Sequence, residues 1–110
     1  MQEPVNLTNL RSMIDGDAEM EKALFEEFFS SFAAGIEALQ ANCTNSDTEA
    51  WRKEAHALKG VALNLGAQNL GNLCKNGQDS YLGNAQTKEK ILGDIREEYT
   101  KVKAFLQKLC

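Results

Sequence analysis

His56 is the only histidine in the chain. It stands in the run Glu54-Ala55-His56-Ala57-Leu58-Lys59-Gly60-Val61-Ala62-Leu63-Asn64-Leu65-Gly66-Ala67. Read as a helix, this stretch lines up Trp51, Ala55, Leu58, Ala62 and Leu65 as a single apolar stripe. At roughly 100° per residue His56 points well away from that stripe, with Arg52, Lys59 and Leu63 on its side and Gly60 one turn further on. A histidine serving the core would sit among the leucines, whereas this one faces water. Imidazole has a reference pKa of about 6.5, so a good fraction is neutral and nucleophilic near pH 7. Lys59, three residues on, can bring an ammonium near whatever the ring carries.

Gly60 adds a second clue. Glycine inside a helix costs about 1 kcal/mol relative to alanine, and a helix rich in Ala, Leu, Lys and Glu would be expected to avoid it. Beside an exposed imidazole, the missing Cβ clears space for an approaching group. A nucleophile, a cation and an open approach suit covalent work on an anion, and phosphate is the obvious candidate. Leu63, exposed on the same face, could dock a partner helix.

The elements that must hold these residues are helices. Residues 1–5, with the only proline at Pro4, look loose. Asn6 or Thr8 could start a short helix carrying Leu7, Leu10 and Ile14, which Asp15-Gly16-Asp17 breaks. Asp17 is placed to cap a helix over about 17 to 42 that carries Leu24, Phe25, Phe28, Phe32, Ile36 and Leu39. Phe29 lies on the flank of that stripe and is a candidate for partial exposure and partner docking, as Arg52 and Leu63 are on the histidine face. Ser46 or Asp47 can cap the histidine helix, and Gly66 stops it. A further helix from about Ala67 to Tyr81 buries Leu70, Leu73, Cys74 and Tyr81, although Gly71 and Gly77 weaken its far end. The last, about 86 to 109, has a stripe at Leu92, Ile95, Tyr99, Val102, Leu106 and Leu109. No strand-like alternation and no internal repeat is visible.

The expected architecture is therefore all-α: an antiparallel four-helix bundle, up-down-up-down, with a short extra N-terminal helix capping one end. Its 110 residues leave room for one domain, residues 1–110, and no second core. About seventeen large apolar side chains, each contributing ~1.5–3 kcal/mol when buried, make a metal or disulfide unnecessary for folding. A monomer is expected, because such a bundle buries its own stripes. Met1 and the short length favour a freestanding protein over an excised piece.

Composition narrows the function classes. A net charge of −4 argues against nucleic acid as a partner, since that would want a basic face. No stretch approaches the ~20 apolar residues of a membrane span, and no charged-then-apolar signal opens the chain, so a cytoplasmic location is expected. Cys43, Cys74 and Cys110 form no C-x-x-C, and one histidine cannot complete a usual zinc set. No metal site and no cofactor is expected, and the thiols should be reduced. Neither G-x-x-x-x-G-K-[ST] nor G-x-G-x-x-G occurs, so no ATP-binding or autokinase element is visible.

The run His56-Ala57-Leu58-Lys59-Gly60 followed by Gly66-Ala67 resembles the motif of the histidine-containing phosphotransfer (HPt) domain family of two-component relays. Leu70, Leu73, Cys74 and Gln78 are similar to that family's following helix, and Gly77 departs from it where a leucine is usual. The resemblance spans nearly the whole chain. It implies a phosphoryl carrier, not an enzyme in its own right, that is phosphorylated on Nε2 of His56. Gln78 would hydrogen-bond the imidazole and Lys59 would offset phosphate charge. The implied partners are response-regulator receiver domains, which would bring the divalent metal and the aspartate, and a sensor or hybrid histidine kinase. The alternative is a receiver-binding adaptor without chemistry, whose mark would be loss of the His or the Lys. Both are present.

Overall fold

Short polar side chains set the start of three helices in the computed structural model, which describes residues 3–43 and 47–109. Asp17 accepts from the backbone N–H of Met20 at 3.1 Å, Asp47 from Ala50 at 2.9 Å and Asn84 from Thr87 at 2.8 Å. Each bond satisfies an N–H that the first helical turn leaves without a partner. Five helices result: α1 (Thr8–Ile14), α2 (Ala18–Ala41), α3 (Thr48–Leu65), α4 (Gln68–Asp79) and α5 (Ala85–Leu109). No strand occurs among the described residues. Ser46, the other candidate cap for α3, lies outside them.

The stripes meet as their periodicity requires. Trp51, Ala55, Leu58, Ala62 and Leu65 of α3 are all buried, as are Phe25, Phe28, Phe32, Ile36 and Leu39 of α2. Helix α3 packs most extensively on α4, α2 packs on α3, α4 on α5, and α5 closes against α2, while α1 leans on α2. Glycines bring the axes close. A Cβ on Gly35 would lie 2.3 Å from Leu58 Cδ2, and one on Gly71 would lie 2.5 Å from Leu63 Cδ2. Gly71 and Gly77 both lie inside α4 and are buried. The helix ends at Asp79, two residues short of the expected Tyr81.

Several expected core residues sit nearer the surface. Leu24, Leu73, Tyr81 and Tyr99 are half-buried against the core, and Leu109, on the last described turn, is 44% exposed. Tyr99 stacks on Phe32 with ring centroids 5.0 Å apart and donates its hydroxyl to the Phe29 carbonyl at 3.2 Å. That bond needs the ring tip at the edge of the bundle. Lys88 is the opposite surprise, only 2% exposed, with its ammonium 5.4 Å from the centre of the Trp51 ring. A cation over the indole face is held by the ring quadrupole.

The N-terminal segment is also tighter than its composition suggests. Residues 1 and 2 lie outside the described range, but Val5 is 2% exposed and Asn6 donates its backbone N–H to the Gly66 carbonyl at 2.9 Å. Gly66 caps α3 in the left-handed conformation at φ 101°, and a Cβ there would stand 2.0 Å from the Asn6 carbonyl oxygen. Thus one glycine both stops the histidine helix and receives the N-terminal strap.

Gly66→Ala should therefore lose about 2 kcal/mol or more in urea unfolding, through left-handed strain and displacement of the strap. Gly93, in α5 with open space where a Cβ would go, is the control. Gly93→Ala should gain about 0.5–1 kcal/mol. Equal effects at the two sites would remove the structural role given to Gly66.

Candidate functional site

The pairing of α3 and α4 places His56. Its Nδ1 lies 3.0 Å from Oε1 of Gln78 on the neighbouring helix. An amide oxygen only accepts hydrogen bonds, so Nδ1 is the protonated nitrogen and donates to it. The other nitrogen, Nε2, then holds the lone pair. His56 is solvent-exposed, so the ring is open to an approaching group.

The buried side of α3 supports this arrangement from one turn away. Trp51 Nε1 donates to the Gly77 carbonyl at 2.8 Å, which ties the start of α3 to the turn of α4 that carries Gln78. A Cβ on Gly77 would meet Ile91, Ala55 and Ile95 at 3.5–3.9 Å, ordinary contact distances. The glycine at the family's leucine position is thus covered by isoleucines of α5, and the indole reaches its backbone.

Around the imidazole the side chains differ in how they are held. Lys59 is half-buried on the histidine face and makes no ion pair among the described residues. Gly60 has nothing within 4 Å of where a Cβ would go, so no neighbouring helix requires a glycine there. Leu63 is 41% exposed yet rests on Gly71. Arg52 is engaged locally, paired with Glu49 one turn earlier and with its guanidinium 6.0 Å from the Tyr81 ring centre.

The structure does not bring Phe29 to this group. Phe29 belongs to the α2–α5 seam, with the Lys103 ammonium 5.8 Å from its ring centre and Tyr99 bonded to its carbonyl. Leu82, just beyond Tyr81 and past the end of α4, is 73% exposed and was not singled out from the sequence. Helix periodicity could not find it, since it lies past the last helical turn.

No competing chemistry is assembled nearby. Among the described residues no group of three His, Cys, Asp or Glu side chains could hold a metal ion. Burial pushes the Cys74 thiol up to about 12, and Cys43 is also raised, first by desolvation and then by Glu89, so neither is a thiolate at neutral pH. No helix among the described residues is long and apolar enough to cross a membrane.

Compared with known proteins, residues 23–107 match the family model of the Hpt domain. No curated protein and no solved structure matches the chain.

If Gln78 fixes the tautomer, Gln78→Ala should move the proton from Nδ1 toward a mixture of both forms. Nitrogen-15 chemical shifts of the ring read this directly, and an unchanged Nδ1–H form would show that the bond does not set it.

Proposed function

This chain belongs to the Hpt domain family, and from that premise we propose that His56 accepts a phosphoryl group from a receiver-domain aspartate and passes it to another. Hpt domains are phosphotransfer carriers in two-component phosphorelays and interact with receiver domains and kinases. The observation that carries the assignment to His56 is its 3.0 Å contact with Gln78, which commits Nδ1 and leaves Nε2 exposed.

In the proposed step the Nε2 lone pair attacks phosphorus, the bond from phosphorus to the aspartyl oxygen breaks, and the carboxylate leaves. The ring keeps its Nδ1 proton and becomes cationic, so the bond to Gln78 Oε1 turns charge-assisted and strengthens. No base is needed to remove a proton. Transfer onward reverses the sequence: a second aspartate attacks phosphorus and the neutral imidazole returns. Lys59 stabilises the phosphoryl oxygens, and Gly60 leaves room for the receiver. Leu63 and Arg52 flank the approach. Phe29, on the α2–α5 seam, would serve a separate contact. The divalent metal and the reacting aspartates belong to the receivers, and no ATP-binding element is needed in this chain.

The helix contacts support an up-down-up-down order for the four long helices; a single domain over residues 1–110, a monomer and a cytoplasmic location belong to the same proposal. The receiver-binding adaptor is the competing reading, and the same assay separates the two. With phosphorylated receiver, the chain should take up acid-labile label and His56→Gln should take up none while keeping its helical content. Receiver binding without label on the unsubstituted chain would establish the adaptor.

Gly60 gives a second test. Since a Cβ there meets nothing, Gly60→Ala should raise stability by about 0.5–1 kcal/mol while slowing transfer, and Gly60→Gln should slow it further. Loss of stability and rate together would mean that the glycine serves packing.

A further inference from the structure

Three contacts fix how α4 lies along α3. His56 meets Gln78, Leu63 covers Gly71, and Arg52 reaches the Tyr81 ring next to Leu82. From His56 to Leu63 is seven residues forward, and from Gln78 to Gly71 is seven residues back, so the two helices run in opposite directions in constant register. One turn on from the histidine, position 59 of α3 therefore falls opposite position 75 of α4, and both positions are lysine. Lys59 is half-buried and has no ion-pair partner among the described residues. Lys75 is exposed and makes one loose contact, its ammonium 3.5 Å from Asp79 Oδ2.

Resting on the phosphotransfer reading of His56, we propose that Lys75 is a second phosphate-binding cation, supplied by α4. It forms with Lys59 a two-lysine clamp on the phosphoryl group carried by the ring. Two lysines at one level on either side of a helix seam repel when their ammonium groups approach, which is unfavourable unless an anion joins them. A phosphohistidine is such an anion, and it would form beside both. Asp79 holds the Lys75 ammonium while the ring is unloaded. The pair is exposed at both ends, with 62% and 58% of the side chains accessible, so it is weak enough to be exchanged for a doubly charged phosphoryl group. Asp79 is then a competitor for Lys75, and its carboxylate opposes phosphate at the site. The two residues act in opposite directions on the same equilibrium.

The test loads the full chain from a phosphorylated receiver at low salt and follows both the forward rate and the equilibrium constant for loading. Lys75→Gln should lower both about two- to fivefold, the range of a partly exposed ionic contact, and Lys75→Arg should restore them. Asp79→Asn should raise both, and the differences should shrink as salt increases. Melting temperatures should barely change, since the Lys75–Asp79 pair is exposed. If the unsubstituted chain loads and Lys75→Gln loads equally well, the clamp is wrong and the histidine assignment stands. If the unsubstituted chain takes up no label, the phosphotransfer reading fails and this inference fails with it. A fall in rate that Lys75→Arg does not restore would also overturn it, because charge would then not be the cause.

Discussion

The close approach of α4 to α3 is the constraint on which the other features rest. It is possible because α4 presents Gly71 where a larger residue would hold the helices apart. Leu63 lies directly on Gly71, and the Trp51 indole bonds the Gly77 carbonyl. Only at this separation can the Gln78 amide reach the ring of His56. The contact between Gln78 and an exposed histidine thus depends on small residues elsewhere in α4, which carry no chemistry themselves. The glycines weaken α4 as an isolated helix, and tertiary contact with α3 and α5 supplies what propensity withholds.

Core and site occupy opposite faces of α3, so each can meet its own requirement. Trp51, Leu58 and Ala62 face inward and are fully or nearly fully buried, while His56 and Lys59 point to the outer edge of the seam. The α2–α5 side closes the bundle with aromatic packing of Phe28, Phe32 and Tyr99 and places no demand on the histidine. Gly66 connects the two ends of this design. Its positive φ stops α3, and its carbonyl accepts from Asn6, so the N-terminal strap is anchored at the far end of α3 from His56.

Periodicity and capping chemistry made most of the helical frame legible. The α3 stripe, the Asp17 and Asp47 caps and the Gly66 stop all follow from local rules that depend on neighbours in sequence. Residues whose surroundings come from other helices were harder. Val5 looked loose because nothing local tells that Gly66 receives the backbone of the next residue, Asn6. The burial of Lys88 has no sequence signal, since only the fold brings the Trp51 ring beneath it. Leu109 fits the α5 stripe but, on the last described turn, is 44% exposed. At the site, the motif directed attention to His56, Lys59 and Gln78, and the hydrogen bond between the first and last needed the α3–α4 pairing to become visible. Phe29 was placed on the flank of the α2 stripe, where it is indeed half-buried, and which seam that flank faces is a matter of bundle order that no single helix reveals.

Net charge misleads about such a site. The chain carries −4 overall, yet lysines 59 and 75 stand at one level beside the histidine. A local pair of cations can hold an anion even on an acidic protein, because screening confines surface interactions to about 10 Å at moderate salt. On the proposed reading, weakness is also a requirement. A carrier that buried its phosphate among desolvated cations would stabilise the loaded state so far that release to a second receiver would slow. Exposed lysines, one of them already sharing a carboxylate, give moderate stabilisation that water and the incoming receiver can replace. The acidic remainder of the surface discourages other polyanions from settling there. A phosphoryl group delivered by a docked partner is stabilised without making the site a general anion trap.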